Sequence, residues 1–200
     1  MKLGKKEKAR VFELIKELIK KVGGKNSEAI ASLLYDKKNV NEFKLADKLK
    51  MTINQVRNIL YKLLEHNILS STRKKDKKKG WYTYYWTLET DKSLEALKKI
   101  KKQEVKALEQ LKHSRQVKQY YSCPNNCIEL TAETAMLHDF MCPECGTLLQ
   151  PSNEDKTIKE ISSKIETLNH EIEEIDSFLK HFTAVQPKVK IKKVKKKKRK

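Results

Sequence analysis

Four cysteines carry the most specific chemistry in the chain. They form two short-spaced pairs, Cys123-Pro124-Asn125-Asn126-Cys127 and Cys142-Pro143-Glu144-Cys145-Gly146, with fourteen residues between them. Zinc takes four soft ligands at tetrahedral corners, and two tight turns facing each other supply them. The proline after each first cysteine bends the chain so that backbone N–H groups point at the thiolates. Cys123, Cys127, Cys142 and Cys145 are therefore the expected ligands of one structural Zn2+ in a four-cysteine zinc ribbon. Four thiolates close the coordination shell, whereas a catalytic zinc keeps one position open. His138, four residues before Cys142, is an alternative ligand, but its position better suits a surface histidine on the turn between the ribbon's strands. Redox use of Cys142 and Cys145 calls for a βαβ setting, which the pattern lacks. The 31 residues from 120 to 150 are too few to bury a core unaided, so metal should supply the folding energy.

A second group of residues suits contact rather than coordination. The run Arg73-Lys74-Lys75-Asp76-Lys77-Lys78-Lys79-Gly80 leads directly into Trp81-Tyr82-Thr83-Tyr84-Tyr85-Trp86. Five of the fourteen aromatic residues fall in those last six positions, so the rings are concentrated beside the lysines. Side chains alternate across a strand. Tyr82, Tyr84, Trp86 and Leu88 are assigned to the core face, leaving Trp81 and Tyr85 outward. Exposed strand aromatics or lysine runs are each commonplace alone; together on one hairpin they predict a contact surface. Its residues are Arg73, Lys74, Lys75, Lys77, Lys78, Lys79, Trp81 and Tyr85. Such a surface fits a protein groove or an unpaired strand, where rings stack on bases and lysines meet phosphates.

The elements that must hold these two groups are legible from periodicity. Val11, Leu14, Ile15, Leu18, Ile19 and Val22 recur at helical spacing, and Gly23-Gly24 ends that run. A second helix begins at Asn26 or Ser27 and buries Ile30, Leu33 and Leu34. A third follows Asn41, with Phe43, Leu45, Ala46 and Leu49 inward. Thr52-Ile53-Asn54-Gln55 is a capping box opening a fourth helix with Val56, Ile59, Leu60, Leu63 and Leu64. Two strands joined by a basic loop then complete a winged helix over residues 1–88. Residues 89–119 read as a helical linker with Leu94, Leu97, Ile100, Val105, Leu108 and Leu111 on one stripe. After the ribbon (120–150), Ile158, Ile161, Ile165, Leu168, Ile172, Ile175, Leu179 and Phe182 alternate three and four apart, a heptad helix over 151–183. It is expected to pack back on the linker as an antiparallel pair, in preference to dimerising. Residues 184–200 read as a disordered basic tail. The fold class is thus α+β and multidomain.

The net charge of +19 is unevenly placed. Residues 1–88 carry +13, residues 120–186 carry −8, and residues 187–200 hold ten basic side chains and no acid. That distribution suits a bridge between partners of opposite sign, with the acidic ribbon facing a basic protein surface. No run approaches the length of a membrane span and the start of the chain has no apolar signal core, so a soluble, cytoplasmic protein without membrane contact is expected. No Gly-rich phosphate loop, His-Glu-x-x-His motif or histidine beside a nucleophile occurs, so no enzyme is expected.

A winged helix, a helical linker and a four-cysteine ribbon in that order resemble the archaeal transcription factor E family, the counterpart of the alpha subunit of the eukaryotic general factor IIE. The resemblance is carried by Asn41-Glu42-Phe43-Lys44-Leu45-Ala46, by Val56-Arg57-Asn58-Ile59-Leu60-Tyr61-Lys62-Leu63, by Arg73-Lys74-Lys75-Asp76 with Lys79-Gly80-Trp81-Tyr82, and by the cysteine pairs. It implies a general initiation factor associated with the nucleoid. The winged helix would dock on the RNA polymerase clamp near the non-template strand of promoter DNA, and the ribbon would lie toward the polymerase stalk. The factor would assist promoter melting and stabilise the open complex alongside TATA-binding protein and factor B. By that resemblance the basic wing and Trp81 map to the clamp and strand contact. The Cys123–Cys127 gap is one residue longer than the family's commoner spacing. The competing reading is a zinc-containing, sequence-specific winged-helix regulator. A base-reading helix is rich in Arg, Lys, Asn and Gln, yet helix 52–66 offers only Arg57, Lys62, Asn54, Asn58 and a Gln55 occupied by its own cap.

Overall fold

The computed structural model describes residues 4–24, 27–75 and 80–183. Lys77, Lys78 and Lys79 of the basic loop and the tail from 184 to 200 lie outside the described residues. Among those described, the chain is a mixed α/β structure of seven helices and two three-stranded antiparallel sheets.

The N-terminal unit is built from α1 (Lys5–Gly23), α2 (Ser27–Leu34), β1 (Val40–Asn41), α3 (Glu42–Leu49), α4 (Ile53–Glu65), β2 (Leu69–Lys75) and β3 (Tyr82–Leu88). Val11, Leu14, Ile15, Leu18 and Ile19 give α1 one apolar face, and all five are buried. The helix stops where Gly24 takes φ +75°, a conformation glycine reaches without Cβ strain. Gly23 meets α2 so closely that a Cβ on it would lie 2.6 Å from the Ser27 Cβ. The capping box on α4 is present. The Thr52 hydroxyl accepts from the Gln55 N–H at 3.3 Å, and the Gln55 side chain accepts from the Thr52 N–H at 3.0 Å. Val56, Ile59, Leu60 and Leu63 then face inward.

The sheet order is β1-β3-β2, with Val40 opposite Trp86 and Leu69 opposite Leu88. The two-residue β1 escapes periodicity because so short a strand has none. Trp86 and Leu88 close the core beneath the sheet, and the Trp86 ring meets the edge of Tyr61 at 5.9 Å. Two expectations about inward residues are corrected here. Phe43 is 47% exposed; the inward places on α3 fall at Glu42, Leu45, Ala46 and Leu49, spaced for one helical face, so the buried residue is a glutamate. Tyr82, at the start of β3, projects beyond the helices and is exposed, its ring lying 5.0 Å from the Arg73 guanidinium.

From the sheet the chain enters α5 (Thr90–Val117), passes through β4 (Tyr120–Ser122), β5 (Glu129–Thr131), α6 (Ala132–Leu137) and β6 (Gln150–Pro151), and returns along α7 (Glu154–Thr183). α5 and α7 form an antiparallel pair. Arg115 near the end of α5 meets Glu154 at the start of α7, and Lys98 near the start of α5 meets Asp176 near the end of α7. Every apolar heptad position of α7 is buried or half-buried, so its seam is used within the chain. Val105, Leu168 and Ile172 form a small cluster midway, while Ile175 and Phe178 enter the N-terminal core. Leu111 does not join the stripe and is exposed, because the seam of α5 runs on through Lys112 and Arg115. Lys101 occupies another seam position. It is 4% exposed, and its ammonium reaches Glu17 of α1 at 2.9 Å and Glu171 of α7 at 2.8 Å. Three helices are thereby fastened at one point. No described helix is long and apolar enough to cross a membrane.

Candidate metal centre and basic hairpin surface

The cysteine module hangs on a three-stranded sheet of order β5-β4-β6, in which Tyr121 pairs with Leu130 on one side and Pro151 on the other. Its core is very small: Cys123, Ala135, Cys142 and Leu149, with the Tyr121 and Phe140 rings 5.0 Å apart. The two cysteine loops close alike. The Cys123 N–H donates to the Ile128 carbonyl at 3.0 Å, and the Cys142 N–H donates to the Thr147 carbonyl at 2.8 Å. Each loop needs one left-handed residue, Asn126 (φ +54°) in the first and Gly146 (φ +70°) in the second. The loops are thus equal in length, and the ligand and the left-handed residue trade places between them. That exchange accommodates the extra residue in Cys123–Cys127.

All four Sγ atoms lie within 4.8 Å of one another. Four sulfurs about 2.3 Å from a tetrahedral metal sit about 3.8 Å apart, so the cluster has the size such an ion requires. Cys123 and Cys142 are buried while Cys127 and Cys145 are exposed. The Cys145 thiol is lowered to about 5, chiefly by hydrogen bonds from the Thr147 hydroxyl and backbone and then from the Asn125 amide. Cys127 is pushed up to about 12 by its hydrogen bonds to the Cys145 and Cys123 sulfurs, and Cys142 is raised by burial. Four thiolates crowded together need a cation to offset their repulsion. His138 caps α6 and is outside the sulfur cluster. α6 itself escapes the sequence pattern, since six residues are too few for a helical period to show.

The module's acidity is tempered by residues outside it. Arg115 is bonded to both Glu129 and Glu154 and stacks on Tyr120 at 4.5 Å, and Lys118 reaches Glu133 at 3.3 Å. The Arg115 guanidinium holds the Glu129 carboxyl below the usual carboxylate range, with help from the Ser152 hydroxyl. Glu144 and Asp139 stay exposed. So do Met136, Leu137, Met141 and Leu148.

At the other end of the helix pair is the hairpin. α5 has 28 residues and spans about 42 Å at about 1.5 Å per residue. Trp81 is 74% exposed, as expected of the outward face. Tyr85 is half-buried on that same face, with the Lys74 ammonium 5.2 Å from its ring. Arg73, Lys74 and Lys75 are exposed along β2. Thr72 and Asn39 are hydrogen-bonded at 3.2 Å beside Tyr85's strand, and Asn39 donates its N–H to the Thr87 hydroxyl at 2.9 Å. Arg57, the strongest base-reading candidate on α4, is turned inward. It makes a bidentate pair with Glu42 at 2.7 and 3.0 Å, and the Glu42 side chain is 0% exposed.

The site thus has two parts, a basic aromatic hairpin on the N-terminal unit and a tetracysteine module at the far end of the α5–α7 pair. Residues 13–116 match the TFIIE alpha subunit family. Curated relatives agree. Transcription factor E of Pyrococcus abyssi is 32% identical over 165 residues, covering 82% of this chain and 87% of that relative. Transcription factor E of Metallosphaera sedula is 31% identical over 81% of this chain and 93% of its own length. That of Archaeoglobus fulgidus is 28% identical over 84% and 97%. The chain belongs to the TFIIE alpha subunit family, as a general transcription initiation factor.

Proposed function

We propose that the chain binds RNA polymerase and promoter DNA, assists melting and stabilises the open complex. The observation that carries this reading is the pairing of an exposed Trp81 with Arg73, Lys74 and Lys75 at one end of a helix pair whose other end holds the cysteine module. In this reading residues 1–88 are a winged helix that meets the polymerase clamp and the non-template strand through Arg73, Lys74, Lys75, Lys77, Lys78, Lys79, Trp81 and Tyr85. Residues 120–150 are a zinc ribbon in which Cys123, Cys127, Cys142 and Cys145 hold one Zn2+ and which faces the stalk. TATA-binding protein and factor B are the companions in the initiation complex, and the site of action is the cytoplasmic nucleoid. The zinc supplies folding energy only.

The mechanism is linkage. A factor that binds the open polymerase–DNA state better than the closed one shifts that equilibrium by the difference, and about 1.4 kcal/mol is tenfold. A few wing contacts available only beside an unpaired strand suffice. The engagement of Arg57 by Glu42, and of the α7 seam by α5, favour this reading over a dimeric sequence-specific regulator. The test is co-purification with RNA polymerase, with and without residues 187–200, together with affinity for pre-melted against duplex promoter DNA. Failure to bind polymerase, with no preference for the melted template, would end this reading.

A further inference from the structure

The ring of Tyr85 faces two neighbourhoods. On one side is Lys74 of the hairpin. On the other, Tyr85 lines an open groove of about 510 Å3 between the α2–β1 connection and α3. Leu33, Val40 and Leu45 give this groove an apolar lining, and Lys37, Lys38, Lys44 and Lys48 stand around it. All four lysines are exposed, and none is within ion-pair distance of a carboxylate among the described residues. Of the nearby acids, Asp36 is 3.9 Å from Lys8 and Glu42 is closed on Arg57; Asp47, exposed on α3 beside Lys48, is outnumbered by the four lysines.

An aromatic ring with apolar surface beside it, rimmed by unpaired ammonium groups, is what a single nucleic-acid strand uses. A base face covers the ring and aliphatic surface, and the phosphates on either side meet lysines. Duplex DNA is a poorer match, because its base faces are stacked and unavailable to a half-buried tyrosine. Tyr85 thus belongs both to the hairpin and to the groove. Trp81, the residue just before β3, and Tyr85 within it are four residues or about 13 Å apart. We propose that the groove beside Tyr85 is a binding site for single-stranded nucleic acid, with Lys37, Lys38, Lys44 and Lys48 taking the phosphates of the strand that crosses the hairpin. This rests on the initiation-factor reading above and extends its DNA contact from the wing onto α3.

The test uses the full chain and a labelled oligothymidylate of about 15 nucleotides, read by fluorescence anisotropy across a salt series. Lys44→Ala with Lys48→Ala should weaken binding about tenfold. It should also flatten the slope of log K against log salt by about 1.4, at about 0.7 per lost phosphate contact on a single strand. Lys159→Ala with Lys164→Ala, the same charge change on the exposed face of α7, should leave both quantities unchanged. Tyr85→Ala should lose at least about fivefold, the low end for stacking on one ring, while Tyr85→Phe retains binding. The proposal is overturned if the Lys44/Lys48 variant binds like the wild type, or no worse than the Lys159/Lys164 variant. It is also overturned if a polyglutamate peptide of equal charge competes as well as the oligonucleotide, which would make the groove a seat for acidic protein. Polymerase co-purification of the same variants separates the two readings. Intact co-purification with normal oligonucleotide binding removes the groove alone, whereas a wild-type chain that never binds polymerase removes the initiation-factor reading.

Discussion

Replacing Arg57 by alanine separates a structural role from a DNA-reading one. The Glu42 carboxylate is fully buried and is satisfied by two charge-assisted bonds from one guanidinium. Removing Arg57 strands that carboxylate, and breaking a buried pair from one side costs about 3–5 kcal/mol. Arg57→Ala should therefore destabilise by about 3–5 kcal/mol. Urea denaturation measures it, and the melting temperature should fall by roughly 6–20 °C. Adding Glu42→Gln should recover much of the loss. A loss below about 1 kcal/mol would refute the reasoning. So would a folded variant whose only defect is weaker duplex binding.

Trp81→Ala should weaken polymerase association while changing stability by no more than about 0.5 kcal/mol, since the ring is 74% exposed; co-purification and thermal melts check both. A chelator should unfold residues 120–150 selectively, because four small core residues cannot hold the sheet alone. Limited proteolysis should then cut there while α1–α4 survive. Because Arg115 depresses the Glu129 carboxyl, the stability from that pair is present above the ordinary glutamate value and lost as pH falls through the lowered one. Amide exchange across β4 and β5 should accelerate in that acid window, and Arg115→Ala should bring the same acceleration at neutral pH. Replacing both Glu17 and Glu171 by alanine leaves the Lys101 ammonium buried without its partners, at a cost of about 3–5 kcal/mol. Lys101→Met in that background should restore stability in urea denaturation.

Most of the architecture can be read from spacing, because its helices carry strong apolar periods and punctuated ends. Gly23-Gly24, Asn41 and the Thr52–Gln55 box all act where their chemistry predicts. The cysteine cluster is equally legible, since ligand type and spacing define it without any knowledge of the fold. Polar residues in apolar places resist such reading. Glu42, Lys101 and Arg115 occupy inward or seam positions that a hydrophobic pattern assigns to carbon, and their partners lie 15, 84, 70 and 14 residues away. Long-range ion pairs leave no local trace. The lysines around the Tyr85 groove are invisible for the same reason, being brought together from the α2–β1 connection, α3 and a distant strand.

The return of α7 along α5 decides where the remaining chain departs. Phe182 packs against the N-terminal core, so the chain leaves α7 beside the cationic unit, far from the sulfur cluster. That unit bears +13, the α5–α7 pair is close to neutral overall, and residues 120–150 carry four acids and no Lys or Arg. The molecule is an electric dipole about as long as its helix pair. Near a polyanion it would be turned by torque before any contact forms, arriving cation-first with the cysteine knuckle trailing.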